Sequence, residues 1–269
     1  MERSKSTIVI VALIIGAALL VLAAWYVFRT PAEVTEHSAQ VTVSTRAADG
    51  VELFGTLLVP ELDDDVDDYP VIIFVHDDGQ DRTEWRDADL ARYLDVGFGV
   101  IVYDRRGYGE STHRAGGNSA GTVEPTGAVE DEVQDVIALA SWIGTRDDVR
   151  NEVVGIVGSG SGATLAFLAQ GKLDRVVAAV ALSPIGTDDP RTLAATSLTF
   201  RPAQVLFITN DSDDAYARQL FDRTANPREI EQVAGTTHGS AFLRDDDVSR
   251  VALDWLLQYV VTPIFIEGS

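Results

Sequence analysis

Val153-Val154-Gly155-Ile156-Val157-Gly158-Ser159-Gly160-Ser161-Gly162-Ala163-Thr164-Leu165-Ala166-Phe167-Leu168-Ala169 decides how this chain folds. The near-continuous apolar run 153–157 reads as a strand buried on both faces, and 163–169 reads as a helix. The glycine-dense link between them is an elbow. Such an elbow lifts its apex residue out of the end of the sheet and needs small neighbours on either side. Two registers fit. Gly158-x-Gly160-x-Gly162 keeps the usual distance from the strand and puts Gly160, which has no side chain, at the apex. Ser159-x-Ser161-x-Ala163 also satisfies the spacing and puts the hydroxyl of Ser161 there. Gly160 would adopt positive φ at little cost. In that register Ser159 and Ser161 serve at most as helix caps.

Working outward, strands and helices alternate. Gln40–Thr45 and Val51–Val59 alternate apolar and polar residues around Asp49-Gly50, a hairpin signal. Val71–Val75, Val100–Tyr103, Val176–Leu182 and Val205–Thr209 read as buried strands, with an edge strand near Glu229–Val233. Helical patterns cover Asp87–Asp95, Ala128–Trp142, Ala215–Arg223 and Val248–Val260. No element is evident over 113–127 or 184–203, stretches too short for a large lid. Alternation of this kind predicts an α/β fold with a mostly parallel central sheet and helices on both faces.

The chain has 269 residues and a formal net charge of -21, from 42 Asp+Glu against 21 Lys+Arg. Lysine occurs only at Lys5 and Lys172. So acidic a field repels nucleic acid and anionic lipid, and no nucleic-acid partner is expected. Acid excess with scarce lysine points to a halophilic protein, and self-repulsion to a monomer. Acidic runs at Asp63–Asp65 and Asp245–Asp247 lack the alternating ligand spacing of a calcium loop, so no metal is expected. The absence of cysteine excludes disulfides, thiolate catalysis and lipoprotein acylation.

From Ile8 to Phe28 the chain carries no charge, long enough for a helix to cross a bilayer. Arg3 and Lys5 precede it, and Trp25 and Tyr26 lie where an interfacial belt would sit. The positive flank predicts residues 1–7 in the cytoplasm, a transmembrane signal anchor at 8–28, a spacer at 29–39 and the globular part outside. Bulky residues after Ala23-Ala24 argue against signal cleavage. The domain then spans 40–262, with a tail at 263–269.

Three further landmarks carry chemistry, the last of them in two strings. Phe74-Val75-His76-Asp77-Asp78-Gly79 ends a buried strand, and Tyr103-Asp104-Arg105-Arg106-Gly107-Tyr108-Gly109-Glu110-Ser111 ends another. After Val205–Thr209 comes Asn210-Asp211-Ser212-Asp213-Asp214-Ala215-Tyr216, and His238 follows in Ala234-Gly235-Thr236-Thr237-His238-Gly239. With the elbow, these landmarks resemble, in order, the α/β-hydrolase superfamily over about residues 40–262. The chain looks most like its lidless dienelactone-hydrolase-like or serine-aminopeptidase-like branches. The Asp-x-Arg-Gly-x-Gly-x-Ser pattern at Asp104–Ser111 is the most family-specific of the four.

The resemblance implies a triad of nucleophile, acid and His238 as base, with no cofactor. Counting from the strand makes Asp213 the acid, whereas the Asp-Asp-Ala-Tyr string favours Asp214. Backbone N–H groups near Asp77 and Ser161 would hold the oxyanion. His76 is expected to make a structural hydrogen bond, and Asp104 with an arginine to brace its loop. With Ser161 as nucleophile the protein is a membrane-anchored hydrolase of small esters, thioesters or lactones. With Gly160 there it is an inactive homologue that binds a ligand or partner outside the cytoplasm. Water activation by His238 without a covalent intermediate is a third course.

Overall fold

The computed structural model describes residues 39–62, 68–88, 90–115, 121–125, 129–186 and 202–261. The expected membrane span, nearly all of the spacer, Asp63–Asp65 and the tail lie outside the described residues. Among the described residues no helix is long and apolar enough to cross a membrane.

Among the described residues ten strands form: β1 (Gln40–Arg46), β2 (Glu52–Leu58), β3 (Tyr69–Val75), β4 (Gly99–Tyr103), β5 (His113–Arg114), β6 (Gly121–Thr122), β7 (Val149–Ser159), β8 (Val176–Leu182), β9 (Val205–Asn210) and β10 (Arg228–Val233). Eight of them make one sheet in the order β1-β2-β4-β3-β7-β8-β9-β10. β1 pairs with β2, and β2 with β4, antiparallel. From β4 to β10 every neighbouring pair is parallel.

The continuous apolarity of β3 has a direct cause. Val71, Ile73 and Val75 enter the core on one face, packed with Val133, Leu165 and Leu220. Ile72 and Phe74 enter the other, with Trp85, Tyr93, Phe242 and Leu253. Helices therefore cover both faces: α1 (Ala91–Leu94), α2 (Val129–Ile143), α3 (Ser161–Lys172), α4 (Asp214–Arg223) and α5 (Asp246–Leu256). The Asp245 carboxylate caps α5, accepting from the N–H groups of Asp247 and Val248. Part of the second acidic run is thus spent on a helix end.

Three expectations need correction. The helix expected over Asp87–Asp95 is a 3-10 turn at Arg82–Asp87 followed by the short α1. β7 begins at Val149, because parallel pairing with Tyr69 recruits polar residues into the strand. A small ribbon, β5 with β6, lies in a stretch read as lacking elements. The ends of β3, β4, β7 and β9 come together at one edge of the sheet, where α/β proteins place their sites.

Candidate active site

Gly160 is the apex of the elbow. It links β7 to α3 at φ 54° and ψ -116°, a conformation open to glycine and strained for other residues. Gly162 lets the first turn of α3 close on β3, since a Cβ there would lie 2.4 Å from the Val75 carbonyl oxygen. The apex space itself is filled. A Cβ on Gly160 would stand 2.2 Å from Cγ and Oδ1 of Asp77 and 2.3 Å from its Oδ2.

Asp77 is held there by backbone donors. Its Oδ1 accepts from the N–H of Ser161 at 2.7 Å and from the N–H of Asp78 at 2.8 Å. Its own N–H donates to Glu84 Oε2 at 2.7 Å. Both groups expected to hold an oxyanion are therefore engaged, the Ser161 N–H by the Asp77 carboxylate and the Asp77 N–H by Glu84.

His238 follows β10 and faces this carboxylate. Its Nδ1 lies 2.7 Å from Asp213 Oδ2, and its Nε2 lies 3.8 Å from Asp77 Oδ2. Asp213 Oδ2 also accepts from Asn210 Nδ2 at 2.8 Å, and the same amide donates to the Thr237 carbonyl at 2.6 Å. Asn210 thus ties Asp213 to the chain leading into His238. Asp214 instead lies on α4 and pairs with Arg218 one turn on. With Nδ1–H directed at Asp213, Nε2 is the nitrogen presented to Asp77. The His238 side chain is 43% exposed and that of Asp77 21%, so the pair opens to solvent.

The two elbow serines turn elsewhere. Ser161 is 1% exposed, and its Oγ accepts from Arg105 Nη1 at 2.7 Å. Ser159 Oγ donates to Glu84 Oε1 at 2.6 Å and accepts from the Ser240 N–H at 3.0 Å.

Beneath the site sits a buried ionic frame. Arg105, fully buried, pairs with Glu132 through Nε at 2.7 Å, and its Nη1 also reaches the His76 carbonyl and Asp78. His76 Nδ1 meets the Asp77 carbonyl at 2.7 Å, and its Nε2 accepts from the Arg105 N–H at 2.9 Å. This fixes the neutral tautomer. Burial, reinforced by the Arg105 guanidinium, pulls the His76 pKa from 6.5 down to about 4. Arg106 pairs with buried Asp135 at 2.6 Å, and burial raises that carboxyl to about 6. Asp104 braces its loop through Arg82 at 2.8 Å and the Glu110 N–H at 2.9 Å.

Glu84 and Arg105 are parts of the site that sequence reasoning did not single out for this role. Glu84 sits in a plain polar turn, and Arg105 occupies a variable place in its motif. Among the described residues no group of three or more metal-ligating side chains stands together.

Residues 72–260 match the family model described as alpha/beta hydrolase family, and the chain belongs to that family. No curated protein matches the sequence. The fold is similar to that of an esterase from Pyrococcus furiosus, at 16% identity and a TM-score of 0.60, covering 83% of this chain and 94% of that one. It is similar to a dienelactone hydrolase from Anabaena variabilis, at 16% identity and a TM-score of 0.60, covering 84% and 100%. A protein described as a predicted CIB-like hydrolase, from Thermoplasma acidophilum, is similar at 14% identity and a TM-score of 0.59, covering 81% and 98%. At these identities the likeness is one of fold.

Proposed function

We propose that this alpha/beta hydrolase family member receives a small molecule at its elbow and works there without a serine nucleophile. The observation that carries this reading is the Asp77 carboxylate lying where a side chain of residue 160 would be. Serine chemistry needs a hydroxyl within hydrogen-bond reach of the base and donors open to the oxyanion. Ser161 is turned to Arg105, and Ser159 to Glu84. The Ser161 and Asp77 N–H groups are already engaged. This favours the Gly160 register over acyl transfer to small esters, thioesters or lactones through Ser161.

What the site keeps is an oriented base, His238 on Asp213, whose Nε2 lies 3.8 Å from a partly exposed carboxylate. That set suits recognition of a small neutral molecule and proton transfer at His238 Nε2. The charge-free stretch from Ile8 to Phe28 and its basic flank support a membrane anchor with the domain outside the cytoplasm. The acid excess supports function at high salt.

The test is labelling with a fluorophosphonate probe at high salt, with peptide mapping. No label on Ser159 or Ser161 is the expected result. A label lost in Ser161→Ala would restore the serine hydrolase and overturn this reading.

A further inference from the structure

We propose that the elbow is a hydrogen-bond-accepting site, which takes neutral molecules presenting two donors side by side, such as vicinal diols or ureas. This inference rests on the reading above that a small molecule binds at the elbow without a serine nucleophile.

The donors around the elbow are spent within the chain. The N–H groups of Ser161 and Asp78 both go to Asp77 Oδ1, and the N–H of Asp77 goes to Glu84 Oε2. In the loop that carries His238, the Gly239 N–H donates to Ser183 Oγ at 3.2 Å and the Ser240 N–H to Ser159 Oγ at 3.0 Å. The Asn210 amide is taken by Asp213 and the Thr237 carbonyl. An ester or ketone carbonyl only accepts, so each of these donors would have to leave a partner to bind one.

Two acceptors stand at the same place. Asp77 Oδ2 takes neither of the bonds that hold Oδ1, and it faces His238 Nε2 at 3.8 Å. Because Nδ1–H is directed at Asp213, Nε2 presents a lone pair. A carboxylate oxygen and an imidazole nitrogen thus face each other, both wanting a proton. Both side chains are partly exposed, and Gly160 adds none of its own beside them.

The spacing selects the ligand. Hydrogen bonds from hydroxyl and amide groups run at about 2.7–3.0 Å. A lone hydroxyl carries one proton and satisfies one of the two acceptors. Two donors on one small molecule satisfy both, one at Asp77 Oδ2 and one at His238 Nε2. A cation gains little over a neutral molecule, because Asp78 is already matched by Arg105 and salt screens the partly exposed Asp77.

The test is an NMR titration of the full chain in detergent at high salt, following the His238 ring nitrogens. A pH of about 8 keeps an ordinary histidine neutral. The probes are propylene glycol, methylurea, propanol, acetone and propylammonium. Propylene glycol or methylurea is expected to bind about tenfold or more tighter than propanol or acetone, and to shift Nε2 as it accepts a hydrogen bond. Those two arms separate a hydroxyl source from an amide one. In Asp77→Asn, Oδ1 still accepts from the Ser161 and Asp78 N–H groups, while the amide donates to Nε2 and closes the pair. The preference for two donors should vanish there. Four results overturn the proposal: neither two-donor probe binds, propanol or acetone binds as tightly as both, propylammonium binds tightest, or the preference survives Asp77→Asn. None of them restores a serine hydrolase, because the serine-free reading falls only to fluorophosphonate labelling of a serine.

Discussion

The carboxylate of Asp77 occupies the space above the α-carbon of Gly160, so close that the two positions exclude each other's side chains. An acid after His76 and a glycine at the apex are therefore one arrangement.

Gly160→Ser alone is expected to destabilise the domain. Overpacking costs about 1–3 kcal/mol, and a non-glycine residue at positive φ adds roughly 1–2 kcal/mol. The clash is not cheaply relieved, because moving Asp77 abandons the Ser161 N–H. Adding Asp77→Ala should recover the overpacking share. Thermal or urea unfolding of the double-mutant cycle should give a favourable coupling of roughly 0.5–3 kcal/mol.

Ser161→Ala should act on stability. It leaves Arg105 Nη1 without one of its partners inside a buried ionic frame, in which Arg105 Nη2 already makes no hydrogen bond. A loss of about 1–3 kcal/mol is expected in denaturant unfolding. A Ser161→Ala protein of unchanged stability would argue against the Arg105 contact.

Asp213 and Asp214 should separate sharply. Asp213→Asn replaces the carboxylate that accepts the His238 Nδ1–H with a neutral amide, and proton transfer at His238 Nε2 should slow by roughly tenfold or more. Asp214→Asn loses a partly exposed helical pair with Arg218, worth about 0.3–0.5 kcal/mol, and should leave that rate alone. Measuring that rate in both variants decides the acid.

The buried histidine makes a pH prediction. The His76 pKa falls from 6.5 to about 4 on folding, so between those values the unfolded chain binds the extra proton. Stability from this group is full above pH 6.5 and is lost as pH falls toward 4, by roughly 3 kcal/mol. Protonation at Nε2 would also break the bond from the Arg105 N–H. Asp135 works in the opposite sense: raised from 3.8 to about 6, it favours the fold at low pH and loses that contribution as pH rises through 6. The difference between wild-type and His76→Gln stability profiles isolates the histidine and should slope upward from pH 4 to 6.5.

Much of this architecture was legible in the residues. Runs such as Val71–Val75 announce strands buried on both faces, and 158–162 announces the elbow with Gly160 at the proper distance from β7. The ribbon of β5 and β6 was not legible, since two-residue strands carry no periodicity. Polar Arg150, Asn151 and Glu152 hid the start of β7. At the site, counting from β9 left Asp213 and Asp214 open, and only the folded chain shows that it is Asp213 that lies against His238. Asp77 was read as an N–H donor because its carboxylate turns inward only through contacts with α3, far along the chain. The available signal was the pairing of an acid there with glycine at 160.

The most direct measurement is fluorophosphonate labelling with peptide mapping on three proteins: wild type, Ser161→Ala, and the double variant Gly160→Ser/Asp77→Ala. The double variant restores a hydroxyl at the apex facing His238 and frees the Ser161 N–H. Label at position 160 in the double variant, with none in the other two, is the expected result. Label on Ser161 of the wild-type protein would contradict the claim that Asp77 has taken the nucleophile's place.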